Sequence, residues 1–191
     1  MKHGYELNPF EDPPVVKFLF GSPKMAPLWL LARLYVGWAW LQAGWGKVNN
    51  PSWVGPDAGK SLSGFVRGAL SKTEGAHPDV QLWYAWFLEN IVLPNAATWS
   101  VVVAWGEVLV GLALIVGLFT GIAAFFGAFM NLNFLFAGAV STNPLLFVLS
   151  IGLILAWKVA GYIGLDIFVL PLLGTPWSPG YVFSPNKKTG S

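Results

Sequence analysis

The 191-residue chain has no cysteine, two histidines and few charges, 10% of residues. Without cysteine it can form no disulfide, iron–sulfur cluster, thiolate haem ligation or thiol–disulfide relay of its own. Redox chemistry must then use an external cofactor or another subunit. His3 and His77 are far apart in sequence, so no metal site is expected from this chain alone. Eleven basic and nine acidic side chains give a net charge of +2, too little to argue for nucleic acid or a polybasic lipid patch. There is no nucleotide-binding loop and no repeat of fixed period. The first residues carry Glu6, Glu11, Asp12 and a tandem Pro13–Pro14, and they lack the basic start, apolar stretch and small-residue cleavage site of a signal peptide.

What is abundant is apolar. Hydrophobic residues make up 55% of the chain and the mean hydropathy is +0.59, values of a chain solvated by lipid. Four segments qualify as spans: Ala26 to Gly46, Ala97 to Leu118, Gly121 to Val140 and Pro144 to Ile163. Very short turns, Phe119 to Gly121 and Ser141 to Pro144, join the last three, which makes them adjacent antiparallel helices. The expected fold is an all-α integral membrane protein, a four-transmembrane-helix bundle over residues 26–171. Surface tails would cover residues 1–25 and 172–191.

A long loop over residues 47–79, rich in Gly, Pro, Ser and charge, separates the first two spans and has room for a short helix around Leu62 to Leu70. After it, residues 80–93 are apolar but too short to span. Asp79 can cap this segment and Pro94 can stop it, so an interfacial or re-entrant helix is expected there. Trp29, Trp45, Trp99 and Trp157 fall near span ends, where an indole suits the headgroup layer. Lys2, Lys17, Lys24, Lys187 and Lys188 lie on the terminal side, against Lys47, Lys60, Arg67 and Lys72 on the other. That small excess favours a multi-pass protein of the cell membrane with cytoplasmic termini.

The polar residues inside the apolar runs carry the chemistry. At 1.5 Å per residue, Arg33 lies about 9 Å in from the terminal side, Lys158 about 10 Å, Asn131 about 15 Å and Glu107 about 16 Å. Arg33, Gly37, Trp40, Gly44 and Lys47 form one stripe, and Glu107, Gly111, Leu114 and Leu118, and Gly127, Asn131, Phe134 and Gly138, form two more. Glycine on such stripes allows close helix approach, so these faces should point inward. Arg33 and Lys158 are long enough to snorkel; Glu107 is not. Glu107 therefore either forms a structural ion pair with Arg33 or Lys158, or lines a site for a polar head such as a quinone ring, an oxyanion or a proton. For quinone reduction, Arg33 or Asn131 would donate hydrogen bonds and Glu107 would carry a proton. Trp38, Trp40, Phe134 and Phe136 would flank a planar ring.

Leu31, Arg33, Leu34, Gly37, Gly44 and Lys47 in the first span, and Gly106, Glu107, Gly111, Leu112, Gly117, Leu118 and Thr120 in the second, resemble the DoxX family. Asn131, Leu132 and Asn133, and the closing Gly164, Leu165 and Asp166, extend the likeness, which is nearest to the DoxD branch, the small membrane subunit of thiosulfate:quinone oxidoreductase. The resemblance implies a four-span subunit in sulfur or thiol redox metabolism that passes electrons to the quinone pool with a partner protein subunit. Gly121 stands where such proteins usually have a basic residue, which removes one anion contact.

Two functional expectations follow. In the first, a quinone-linked redox subunit has Glu107 and Arg33 as catalytic residues and Lys47, Asn131, Lys158 and Trp40 as contacts for quinone or anion. In the second, a non-catalytic accessory or anchoring subunit uses its buried charges to fix helix register within a larger complex. A small-molecule carrier is disfavoured by the lack of broken spans and of an internal repeat.

Overall fold

The computed structural model describes residues 12–174, and all regular structure among them is helical. Two prolines, Pro13 and Pro14, open α1 (Pro14–Gly21); a proline suits the first helical turn, where its missing N–H costs nothing. After a 3₁₀ turn the chain enters α2 (Ala26–Val48), and α1 and α2 together form an apolar unit bent by 58°. The expected N-terminal tail over 1–25 is thus corrected in its second half. Leu19 and Phe20 pack on the core, and Trp29 donates its indole N–H to the carbonyl of Leu19 at 2.7 Å. This also turns Trp29 inward, 7% exposed, instead of into a headgroup layer.

The long loop holds α3 (Lys60–Leu70), whose buried Leu62, Val66 and Ala69 recur at helical spacing. Next come α4 (Leu82–Phe87), a π-helical segment (Leu88–Val92), a 3₁₀ turn (Leu93–Asn95) and α5 (Ala96–Val116). These four pieces form one helical run of 35 residues, Leu82–Val116. The separate helix expected over 80–93 is therefore the first part of the same rod as the second span, and Pro94 does not stop it. Proline removes one backbone donor, and the ladder adapts by widening into the π segment. Along this stretch Asn90 and Asn95 donate their side-chain amides back to the carbonyls of Trp86 and Ile91, one turn earlier, at 2.8 and 3.2 Å.

The remaining elements are α6 (Thr120–Phe136), α7 (Asn143–Leu155), α8 (Trp157–Ala160) and α9 (Asp166–Leu172). By length and composition, the run Leu82–Val116 is the one helix among the described residues able to cross a membrane, or one of two if the bent α1–α2 unit counts as a span. The 17 and 13 residues of α6 and α7 reach only about 25 and 20 Å, short of a hydrocarbon core of about 30 Å. The chain is an all-helical protein with a candidate apolar span, and α6 and α7 are shorter than the spans expected of them. The expected C-terminal tail begins at the last residue of α9, and residues 175–191 lie outside the described part, as do residues 1–11.

Two apolar clusters organise the molecule. The inner one joins α2, α5, α6, α7 and α8 around Val36, Leu114, Ala124 and Leu153. The outer one packs α3 on Tyr84, Ala85, Leu88 and Val92 of the long rod and on Ala137. In the inner cluster α2 and α5 lie antiparallel with their backbones in contact. A Cβ on Gly111 would come within 2.5 Å of the Leu41 nitrogen, and one on Gly44 within 2.6 Å of the Val108 nitrogen. Backbone cannot yield as a flexible side chain can. Gly111→Ala should therefore destabilise the protein by about 1–3 kcal/mol as overpacking, read as a lower melting temperature in detergent, whereas Gly46→Ala, with nothing within 4 Å, should not.

Candidate functional site

The register of α2 against α5 sets Gly37 beside Leu114, Leu41 beside Gly111 and Gly44 beside Val108. Continued one turn further, it brings Lys47 to Glu107. The ammonium of Lys47 donates to Glu107 Oε2 at 2.6 Å, and the pair is a salt bridge. Glu107 is 0% exposed, whereas the Lys47 side chain keeps 21% of its surface open. Lys47 also sits 5.2 Å from the centre of the Trp53 ring, a cation–π contact from the long loop. The second carboxylate oxygen, Glu107 Oε1, is buried and has no partner among the described residues.

The pair lines a cavity of about 610 Å³. Trp38, Trp40, Trp53, Phe65 and Phe134 supply aromatic walls, and Thr142 and Asn143 lie at its edge. Trp40 and Phe134 stack at 6.3 Å with planes 28° apart, and Phe65 meets Phe134 edge-on at 6.0 Å. On the far side of Phe65 and Phe134 lies an almost wholly apolar cleft of about 430 Å³ between α3, the rod Leu82–Val116 and α6. Both rings face both spaces, one holding a charge pair and the other greasy. That arrangement suits a flat molecule with a polar head and an apolar remainder.

The expected partners of Glu107 are corrected. Arg33 lies at the opposite end of α2, about 15 Å along the helix axes, because it meets Gly117, ten residues beyond Glu107. There it is 2% exposed and donates to the carbonyls of Ala160 at 2.9 Å and Ile163 at 2.7 Å. Gly117, at φ +70°, ends α5, and a Cβ there would collide with the Arg33 guanidinium. Asp166, also 2% exposed and attracted by Arg33, accepts from the N–H groups of Phe119 at 2.6 Å and Thr120 at 2.9 Å. A carboxylate is thus set on the first turn of α6, where it satisfies orphan donors, and it holds Phe119 in the left-handed region at φ 49°. This is a clasp that ties α2, the α5–α6 turn and the segment before α9. Both terminal nitrogens of Arg33 are committed to backbone here, and its Nε has no partner among the described residues.

Lys158 is on α8 with its ammonium 5.6 Å from the Trp157 ring, at the clasp end and away from Glu107. Asn131 is 0% exposed on α6, at the level of Glu107, yet it makes no hydrogen bond to it; neither atom of its amide has a partner among the described residues. Of the six residues named from the sequence, Glu107, Lys47 and Trp40 meet in the cavity; Asn131, buried on α6, does not line it, and Arg33 and Lys158 lie elsewhere.

A model of the DoxX family matches residues 28–139. The chain belongs to that family. No curated protein and no solved structure matches it. The matched region of this DoxX protein holds α2, the long loop, α5 and α6, hence the whole Lys47–Glu107 pair and its aromatic walls, but not Asp166 or Lys158. The sequence reading missed Trp53, for which no local signal exists. It also passed over Ser150, whose hydroxyl is the one polar side chain in the run from Pro144 to Leu155.

The clasp generates a test of its own. Asp166→Ala leaves the N–H groups of Phe119 and Thr120 without their acceptor and removes a countercharge from the buried Arg33, and it should cost about 1–3 kcal/mol. The readout is the melting temperature of the detergent-solubilised protein.

Proposed function

We propose that this chain crosses the cell membrane as a four-segment bundle, with cytoplasmic termini, and serves as the membrane subunit of a quinone-linked redox system resembling DoxD. In that role it takes electrons from thiosulfate or another reduced sulfur compound, with a partner subunit, and delivers them to the quinone pool. The observation that carries the reading is the buried Lys47–Glu107 pair in an aromatic cavity, with Glu107 Oε1 uncommitted. The short α6 and α7 reach the bilayer faces with the help of their turns, α8 and local thinning of the lipid.

The residues present fit a quinone head. Trp40 and Phe134 offer planar walls, Lys47 a cation that hydrogen-bonds a carbonyl oxygen, and Glu107 a proton-carrying group within the same space. Quinone reduction consumes two electrons and two protons, and cysteine-free helices hold no electrons; both electrons must come directly from the donor or through the partner. Lys47 orients and polarises, Glu107 holds a proton at Oε1, and the aromatic walls exclude bulk water. Arg33 has no part in this chemistry.

The clasp at the other end favours the second reading, an accessory or anchoring subunit, in so far as it shows buried charge serving architecture. One variant separates the two. Glu107→Gln keeps the side chain's shape and should leave the purified protein folded, with an unchanged gel-filtration profile, while abolishing thiosulfate-dependent quinone reduction in proteoliposomes. Unchanged turnover per assembled complex, with reduced yield of that complex, would make the chain an anchor.

A further inference from the structure

Three layers of side chains cross the inner bundle, one helical turn apart. The layer nearest the long loop contains Gly44, Glu107, Asn131 and Leu146. One turn toward the clasp come Trp40, Val110, Gly127 and Ser150, and one turn further Val36, Leu114, Ala124 and Leu153, each 0% exposed. The third layer is wholly apolar. In the second, the Trp40 indole nitrogen and the Ser150 hydroxyl converge on Gly127: the point where a Cβ would stand is 3.0 Å from Trp40 Nε1 and 3.7 Å from Ser150 Oγ.

Glu107 Oε1, both amide atoms of Asn131, Trp40 Nε1 and Ser150 Oγ are buried without a partner among the described residues. Four side chains from four helices therefore turn unsatisfied polar atoms toward the same two layers. A buried polar atom without a partner costs about 1–3 kcal/mol, and five together are too many for a dry core. A buried water needs two to four polar partners, which Trp40 and Ser150 begin to supply and Asn131 and Glu107 continue. Trp40 lines the same cavity as Glu107 and the partly exposed Lys47.

We propose that these groups form a water-filled well that descends from the Lys47 mouth past Glu107 and Asn131 to a floor at Trp40 and Ser150, and that Val36, Leu114, Ala124 and Leu153 seal it from the clasp end. Hydronium at the mouth gives its proton through this water to Glu107 Oε1 and leaves as water; the reverse step returns it. Glu107 thus exchanges protons with the long-loop face alone. On the quinone reading above, from which this consequence follows, the two protons of the quinol are drawn from that face and none crosses the bundle.

The test uses the full chain in nanodiscs without quinone, so it stands or falls apart from turnover. With nitrogen-labelled indoles and labelled leucine methyls, magnetisation transfer from water should reach the Trp40 indole N–H, assigned by loss of its signal in Trp40→Phe. It should not reach the methyls of Leu114 and Leu153. Ser150→Ala, with an otherwise unchanged spectrum, should weaken the transfer at Trp40. The indole of Trp29, bonded to Leu19, is the dry control. No transfer at Trp40 means a dry core and overturns the well; transfer at the Leu153 methyls means a path through the bundle and overturns the seal.

Discussion

The antiparallel contact between α2 and α5 is the constraint on which the rest of the molecule depends. Glycines at Gly44 and Gly111 let the two backbones touch, and touching backbones allow one register only. That register places Lys47 against Glu107 at one end and Arg33 against Gly117 at the other. A slip of a single turn would separate both pairs and strand two charges in an apolar interior, which costs several kcal/mol per ion. Packing and electrostatics therefore specify the same alignment.

The two ends use buried charge differently. At the clasp the charged groups bond mainly to backbone, Arg33 to two carbonyls and Asp166 to two amides, although Arg33 Nε and Thr120 Oγ1 have no partner among the described residues. Such an arrangement fixes a chain path and leaves little for a guest. At the cavity the same number of charges is only half committed, since one oxygen of Glu107 and the edges of several aromatic rings remain available. The contrast explains why a buried ionisable residue alone does not mark a site. What distinguishes Glu107 from Asp166 is the space beside it.

The inward stripes were legible in the sequence because helical periodicity carries that information directly. Gly37, Trp40, Gly44, Glu107, Gly111, Gly127 and Asn131 all recur at three- and four-residue spacing on the faces found buried, while Lys47, Leu118, Phe134 and Gly138 on the same stripes are half-buried. The pairing of charges was not legible. Estimating depth from separate helices treats each span as upright and independently centred, and this brought Arg33 within reach of Glu107; the true offset is set by glycine contacts between helices. Pro94 misled for a related reason. A proline is read as a helix end, yet a π segment and a 3₁₀ turn carry the rod through it. Asp166 acts on residues 46 and 47 positions earlier in the chain, a distance at which no local pattern speaks.

The contact between α2 and α5 also has a mechanical side. Two helices pressed backbone to backbone move as a single stiff beam, with no layer of side chains to shear between them. The beam carries Lys47 and Glu107 together, so the pair travels as a fixed unit whatever the surroundings do. On the opposite wall, outside that beam, Phe65 on α3 meets Phe134 on α6 edge to face. Those two rings are also the partition toward the apolar cleft. The partition therefore rides on α3 and α6, outside the beam that carries the charge pair.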